Sequence, residues 1–562
     1  MERLYHPPVY CHQLGGVESE DSSMSEIDRN LKGSRNNFRG RLLVTLIASA
    51  IVASLMMTML ITPAPSEGNP PAPNVPARVS YNIHAPISIN GNAAFATKAL
   101  AETWPGDGSI GNPYIIQGYD INASSAHGIF IQNTNVYFII RDCYVHDGGL
   151  NSEGIFLFSC VHGTVTDNIC TNNYDGIFLG WNSINNTLSN NTCSSNNQID
   201  MYGIYIEQSN DNILINNTCS NNDVGIDISN SCNNTLSNNN CSLNNQYGIW
   251  LDSSVSFDLY ANDNTLNNNT CSSNNLDGIY LNSSSYNILI DNTCSNNNGN
   301  FHCGIVLNSS SSNTLINNNC SNNANGIGCQ SSSNNILINN SCDSEITAGI
   351  ILYASSNNNT LINNSCSNNG EGAIILLSSN NNTLINNLCS NNWFGIYLAT
   401  SSDNTLNNNT CSNNGEFGID LEGSSGNGLS MNQMCNNTGY GVYIWSGSSN
   451  RIWNNTFIGN NGAGSVYDPS HVQASDDGTN NRWNTSGSPH GYGNYWGDWQ
   501  GRDFNMDGIQ DAPYNITGFL GAKDFYPLAT FATPIPEFSE LIVPIVGLMM
   551  IALIFGRTRK KL

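Results

Sequence analysis

The stretch Asp503-Phe504-Asn505-Met506-Asp507-Gly508-Ile509-Gln510-Asp511 carries oxygen ligands at the spacing of a calcium loop. Asp503, Asn505 and Asp507 take its first, third and fifth positions, glycine the sixth, the Ile509 carbonyl the seventh and Asp511 the ninth. Tyr514 stands where a bidentate Glu would close a complete helix-loop-helix hand. The competing reading is a turn whose carboxylates are satisfied by backbone amides. In either case the segment would tie down one end of the molecule and implies no catalysis.

A second set of residues could bind by stacking. Phe130, Phe156, Phe178, Tyr205, Trp250 and Tyr280 each occupy the third place of a recurring Gly-(apolar)-x-(apolar) element. Asp227 and Val306 fall in the same series, followed later by Tyr397, Asp420 and Tyr443. If successive elements stack, these side chains form one outward strip, and outward aromatic rings suit the faces of sugars. Packing of one rung on the next is the alternative.

Acid–base chemistry has weaker support. Glu153 and Asp175 precede the glycine of consecutive elements, with His146, Asp147 and Asp142 nearby in sequence. A carboxylate pair of this kind could hydrolyse or eliminate a glycan. Spread surface acids on an acidic chain explain it as well, and basic side chains are absent from 150 to 450.

Cysteine keeps the same period. Cys170, Cys193, Cys219, Cys241, Cys271, Cys294, Cys320, Cys342, Cys366, Cys389, Cys411 and Cys435 lie 22 to 30 residues apart. Stacking would gather them as small buried thiols along one inner wall. Disulfides between neighbouring rungs stay open, whereas a metal site would need convergent ligands and no Cys-x-x-Cys pair exists.

The element that must place all of these is the repeat itself. Fourteen Gly-(apolar)-x-(apolar) units run from Gly128-Ile129-Phe130-Ile131 to Gly441-Val442-Tyr443-Ile444, most often 23 residues apart. Their two apolar side chains are two residues apart and share a face, as in a short strand. A second apolar element recurs between them, as in Asn212-Ile213-Leu214-Ile215-Asn216-Asn217-Thr218-Cys219. A lone four-residue strand is unstable in water, but coils stacked on one another give every strand two partners. The fold class expected is therefore all-β: a single-stranded, right-handed parallel β-helix of about 14 coils with roughly 23 residues each. Asn tracts in the turns suit left-handed backbone and amide ladders between coils.

Lys plus Arg number 17 against 42 Asp plus Glu, a net charge of -25, which argues against a nucleic-acid partner. Residues 1–41 are a basic segment facing the cytoplasm, 42–61 an apolar signal anchor or signal peptide, and 62–77 a Pro-rich spacer. An amino-terminal cap and first coil (78–120), the β-helix (121–456) and a carboxy-terminal cap with the calcium-like loop (457–530) follow, and 531–562 is a membrane-associated tail ending in Arg and Lys. This arrangement puts the β-helix outside the cell, anchored to the membrane or envelope. Acceptor sequences such as Asn122-Ala123-Ser124 allow glycosylation there.

Pro536-Glu537-Phe538, the apolar run after it and the basic end resemble archaeal carboxy-terminal surface-sorting signals. The body, from Pro86-Ile87-Ser88-Ile89-Asn90-Gly91-Asn92 through Gly493-Asn494-Tyr495-Trp496-Gly497-Asp498 to Tyr526-Pro527-Leu528, resembles the NosD-like parallel β-helix family and its archaeal surface relatives. That resemblance implies either a structural, adhesive or carbohydrate-binding surface protein or an accessory protein for copper delivery. The sequence has no compact Cys/His/Met cluster for copper, although the scattered His127, His146, His162 and His302 could meet in three dimensions. A cell-surface structural or adhesive role with polysaccharide or envelope partners is the leading expectation, and a carbohydrate-active hydrolase or lyase the enzyme alternative.

Overall fold

The computed structural model describes residues 81–196, 201–254, 259–297, 302–485 and 491–530. The segments 1–41, 42–61, 62–77 and 531–562, with the anchor, spacer and sorting-like tail read from them, lie outside the described residues. No helix among the described residues is long and apolar enough to cross a membrane.

The chain winds through three parallel sheets, one strand of each per coil. We call them the glycine, leucine and cysteine sheets after the residue that marks each strand. The glycine sheet has sixteen strands, from Ile87–Asn90 to Ala474–Asp476, and the leucine sheet fifteen, from Tyr114–Gln117 to Arg451–Trp453. The cysteine sheet has a six-stranded and a nine-stranded part, joined by single bridges at Asn240 and Thr270. Fourteen repeats thus become sixteen rungs, because the first and last glycine-sheet strands carry no glycine.

Each sheet turns one row of side chains inward. Ile226, Ile228, Leu236 and Cys241 of one coil are fully buried, and the next coil repeats them with Ile249, Leu251, Leu266 and Cys271. Glycine marks the corner where the chain leaves the cysteine sheet. A Cβ on Gly176 would lie 2.5 Å from the Gly203 carbonyl oxygen and 2.8 Å from the Cβ of Cys193. In the coil containing Gly372, register places Ala373 at this corner, since Ile374 pairs with Ile350 and Ile396.

The Asn-Asn doublets divide their work. The first Asn takes left-handed backbone, as at Asn190, Asn216 and Asn238 (φ 55 to 56°). The second is buried with its amide in a ladder. Asn191 donates from its backbone N–H (3.1 Å) and Nδ2 (3.0 Å) to Asn217 Oδ1, and from Nδ2 to the Val165 carbonyl (2.8 Å). Asn217 repeats the pattern on Asn239. An unpaired buried amide costs about 1–3 kcal/mol, so only an unbroken ladder tolerates so much buried Asn. In the ladder beside the cysteine sheet Glu345 takes one Asn place, accepting from the Asn323 N–H, and burial pushes its carboxyl up to about 9.

The helix Asn92–Ala101 covers the first coil, burying Phe95 against the ring of Tyr114 (centroids 4.8 Å apart). At the other end Phe457, Trp496 and Tyr514 stack at 4.1 and 4.0 Å and plug the apolar column. Asp524 terminates an amide ladder by accepting from the Asn494 N–H and from Trp496 Nε1.

Candidate functional site

The outer surface of the glycine sheet gathers most of the chemistry-bearing residues. The third-place residues lie in register: Phe130 pairs with Phe156, Phe156 with Phe178 and Phe178 with Tyr205. Their rings stack face to face at 4.9, 4.7 and 4.8 Å, with Phe156 and Phe178 nearly parallel (3°). Stacking hides the faces: Phe156 and Phe178 are 8% and 7% exposed. What this column presents outward is ring edge. Asp227 then interrupts it, and beyond the gap Trp250 and Tyr280 continue with Tyr247 against both (5.5 and 4.9 Å).

Asp227 is buried with its Oδ1 unpartnered, and burial, then the charges of Asp252, Asp175 and Glu207, hold its carboxyl well above the usual range. Glu153 and Asp175 do lie on adjacent rungs. Each already has a partner, Glu153 in an ion pair with His127 and Asp175 accepting from the Tyr202 N–H at 2.9 Å. His146 is held between Asp120 and Asp147, both at 2.8 Å; against the lowering effect of partial burial, these carboxylates raise its pKa.

Toward the carboxy-terminal end the same face opens into a cleft of about 600 Å³. Phe417, Tyr440 and Tyr443 of the repeat line one side and Thr517, Gly518 and Phe519 of the cap the other, with the carboxylates of Glu416 and Asp477 between. Here the rings are tilted or offset: Phe417 meets Tyr443 at 4.7 Å and 35°, and Tyr440 lies 5.9 Å from Tyr443. Phe519 is 90% exposed. Trp393 reaches Glu416 Oε2 through Nε1 (2.7 Å), and the Tyr397 hydroxyl donates to Glu422. Below Tyr443 in register is Asp420, whose carboxyl burial and the charges of Glu422 and Glu416 push up to about 7. No lysine or arginine lines the cleft.

Third-place periodicity singles out Tyr397, Asp420 and Tyr443 but passes over Glu416, Phe417, Tyr440, Asp477 and Phe519. A signal was present in part. Phe394-Gly395, Phe417-Gly418 and Tyr440-Gly441 put an aromatic before glycine on three consecutive coils. The cap residues are not periodic and give no such sign.

The cysteine column holds from Cys170 to Cys411, as in the register pairs Cys170–Cys193–Cys219 and Cys294–Cys320–Cys342. Cys435 does not continue it. Met434 pairs with Cys411 and is fully buried, while Cys435 pairs with Ser412 and is half-buried. The coil there is 23 residues long, and Cys435 is 24 residues from Cys411. The described cysteines are free thiols; burial holds Cys193 well above its usual value and pushes Cys329 up to about 12.

In the cap loop the carboxylates turn onto backbone amides. Asp503 Oδ2 accepts from Gly508 N (2.9 Å), Asp507 Oδ1 from Ile509 N (2.9 Å), and Asp511 Oδ2 from Phe504 N (2.7 Å). Asn505 donates to Asp507 Oδ2 at 3.0 Å. Gly508 adopts φ +86° at the bend, and Ile509 bridges to Leu528.

Fold and face together define the class: an all-β, right-handed parallel β-helix with an aromatic and acidic outer sheet. The chain belongs to the NosD family, whose profile, described as periplasmic copper-binding protein (NosD), matches residues 89–263, 257–373 and 351–501. No functionally curated protein matches the sequence. Among solved structures it is similar to the periplasmic alginate epimerase AlgG (14% identity, TM-score 0.31, covering 71% of this chain and 84% of that one). It is also similar to the Dettilon tailspike protein (16%, 0.36, 63% and 64%) and to the Streptococcus pneumoniae surface protein and adhesin PfbA (12%, 0.29, 65% and 92%).

The family description raises copper, and the described donors do not fit it. His127, His146 and His302 are each engaged by a carboxylate, and His162 stacks on Tyr137 (4.4 Å). Among the described residues no three His, Cys, Asp or Glu side chains converge as a metal site. The column thiols from Cys170 to Cys411 are fully buried in the core, closed to an ion arriving from solvent.

Proposed function

We propose that this chain is an extracytoplasmic surface protein that binds a neutral polysaccharide along its glycine sheet, gripping it chiefly in the cleft at the carboxy-terminal end. The cleft carries this reading. Phe417, Tyr440, Tyr443 and Phe519 offer ring surface for the apolar faces of sugars, and Glu416 and Asp477 accept hydrogen bonds from hydroxyl groups. A cleft of this charge, on a chain of net charge -25, repels uronates and phosphates and favours uncharged sugars. The edges of Phe130, Phe156, Phe178, Tyr205, Trp250 and Tyr280 extend the track toward the amino-terminal end. Membership of a family described as periplasmic supports a location outside the cytoplasm. Attachment through 42–61 or 531–562 is part of the same proposal.

The test is retention of the purified protein on insoluble neutral and acidic cell-envelope polysaccharides, with Y443A and F417A as comparisons. Retention on a neutral polymer that both variants lose is expected. Retention only on acidic polymers, or equal retention by parent and variants, overturns the reading.

A further inference from the structure

The leucine sheet carries a feature of opposite chemistry. Its outward first-place residues are short or apolar through most of the molecule, with Thr360, Thr383 and Thr405 on successive rungs and Gly428 after them. The next two rungs bring Arg451 and then Arg482 into direct register. The backbone fixes that pairing, because Arg482 N–H donates to the Asn450 carbonyl and Ile452 N–H to the Arg482 carbonyl, both at 2.8 Å. Two exposed arginines therefore start from Cα atoms about 4.8 Å apart on one sheet face.

Among the described residues nothing neutralises them. The ion pairs of lysine and arginine among the described residues are Lys98–Glu102 and Arg141–Asp142. Asp476, a nearby acid in sequence, spends its oxygens on Gly478 N, Asn481 Nδ2 and Trp483 Nε1. Like charges directly opposite each other on a sheet are destabilising, and threonine served this row two coils before Arg451. The pair is also partly preset. Gly428 leaves the place beneath Arg451 empty, a Cβ there would sit 3.7 Å from the Trp453 ring, and the Arg451 guanidinium lies 5.2 Å from that ring's centre. Around the two arginines is a cavity of about 500 Å³ lined also by Ser449, Asn450, Asn480 and Asn481.

We propose that this cavity is an oxyanion site, in which Arg451 and Arg482 together hold one carboxylate, sulfate or phosphate group. A guanidinium donates through a fixed planar fork, and two forks one rung apart can grip several oxygens of a single anion, which removes the repulsion between them. The site is on a different sheet from the aromatic cleft and stands or falls separately from the polysaccharide reading.

The experiment titrates sulfate and inorganic phosphate into the full-length protein by calorimetry and follows melting temperature, with sodium chloride holding ionic strength constant. Saturable binding and a rise of a few degrees are expected. R482Q should weaken binding by about tenfold or more, the loss of a charge-assisted partner, and R451Q/R482Q should abolish it. R451K/R482K keeps the charge without the fork and should fall between. Without anion at low ionic strength, R482Q should melt no lower than the parent, because it relieves a repulsion. An oligosaccharide bearing sulfate or uronate groups tells the sources apart: tighter binding than the free ion assigns the site to a polymer-borne group, and equal binding to a free ion. A melting rise reproduced by chloride, binding unchanged in R451Q/R482Q, or a fall of several degrees for R482Q without anion would each overturn the proposal.

Discussion

The two ends of the glycine sheet use the same strand motif for different ends. In the amino-terminal half Phe130, Phe156, Phe178 and Tyr205 follow one another without interruption, and each ring covers its neighbour. In the carboxy-terminal half Asp420 and Ser475 flank Tyr443 in the same row, so its ring has no aromatic neighbour above or below in register. There the cap holds the outer side of a cleft apart. A regular repeat spends its aromatic surface on itself. Surface becomes available to a ligand where the regularity fails.

This contrast predicts opposite consequences for one kind of substitution. Phe178→Ala removes a ring sandwiched between two others and should cost on the order of 3 kcal/mol, seen as a lower midpoint in denaturant, with little change in glycan retention. Tyr443→Ala should do the reverse, weakening retention by about tenfold while the midpoint moves by less than about 1 kcal/mol. If Phe178→Ala impairs binding more than Tyr443→Ala, the roles assigned to the two regions are exchanged.

The carboxyl that interrupts the row beside the cleft should also make stability depend on pH. Asp420 titrates in the folded protein at about 7, above the ordinary aspartate value near 3.8. A buried acid raised in this way gives stability that is complete below the unfolded pKa and is lost as pH rises through the folded one. Stability should therefore fall from pH 4 to 7, by up to about 1.4 kcal/mol per pH unit from this residue, and the melting temperature with it. Asp420→Asn should flatten that fall, and an unchanged slope would show that the carboxyl is ionised in the folded state throughout. In the cap, calcium should raise the melting temperature by a few degrees over magnesium, and Asp507→Asn should remove the difference. Equal melting in both ions would leave the loop as a hydrogen-bonded turn.

The solenoid was legible because its cause is periodic. Ile, Leu, Cys and Gly recur at the coil length, and each recurrence is a burial or close-approach requirement that every coil must meet again. The division of labour in the Asn doublets follows from the same rule and needed only the register to become visible. Cys435 shows where period alone misleads, since a single residue moves a side chain to the opposite face of a strand. The cleft was half legible: its repeat-borne rings recur, while Asp477, Thr517 and Phe519 reach it through cap segments that occur once. Arg451 and Arg482 are 31 residues apart, outside the coil spacing, because an insertion separates those rungs.

The gap at Asp227 offers the finest test of the comparison. It separates Tyr205 from Trp250 by one rung on each side, and its buried carboxyl has an unpartnered oxygen. Asp227→Phe would replace that group with a ring and join the two stretches into one column, a gain of about 1 kcal/mol from stacking if the ring fits. The gain should widen as pH rises above the ordinary aspartate range, because the unfolded parent ionises there while its buried carboxyl in the folded state holds its proton, whereas phenylalanine does not titrate. Asp227→Asn separates the two causes, since it removes the titration without adding a ring. Should Asp227→Phe lower stability at every pH, the break in the column is set by volume, because an overpacked site costs more than stacking returns. The irregularity at Asp227 would then be a packing constraint, in contrast to the one at Asp420, where a cleft lies beside the interrupted row.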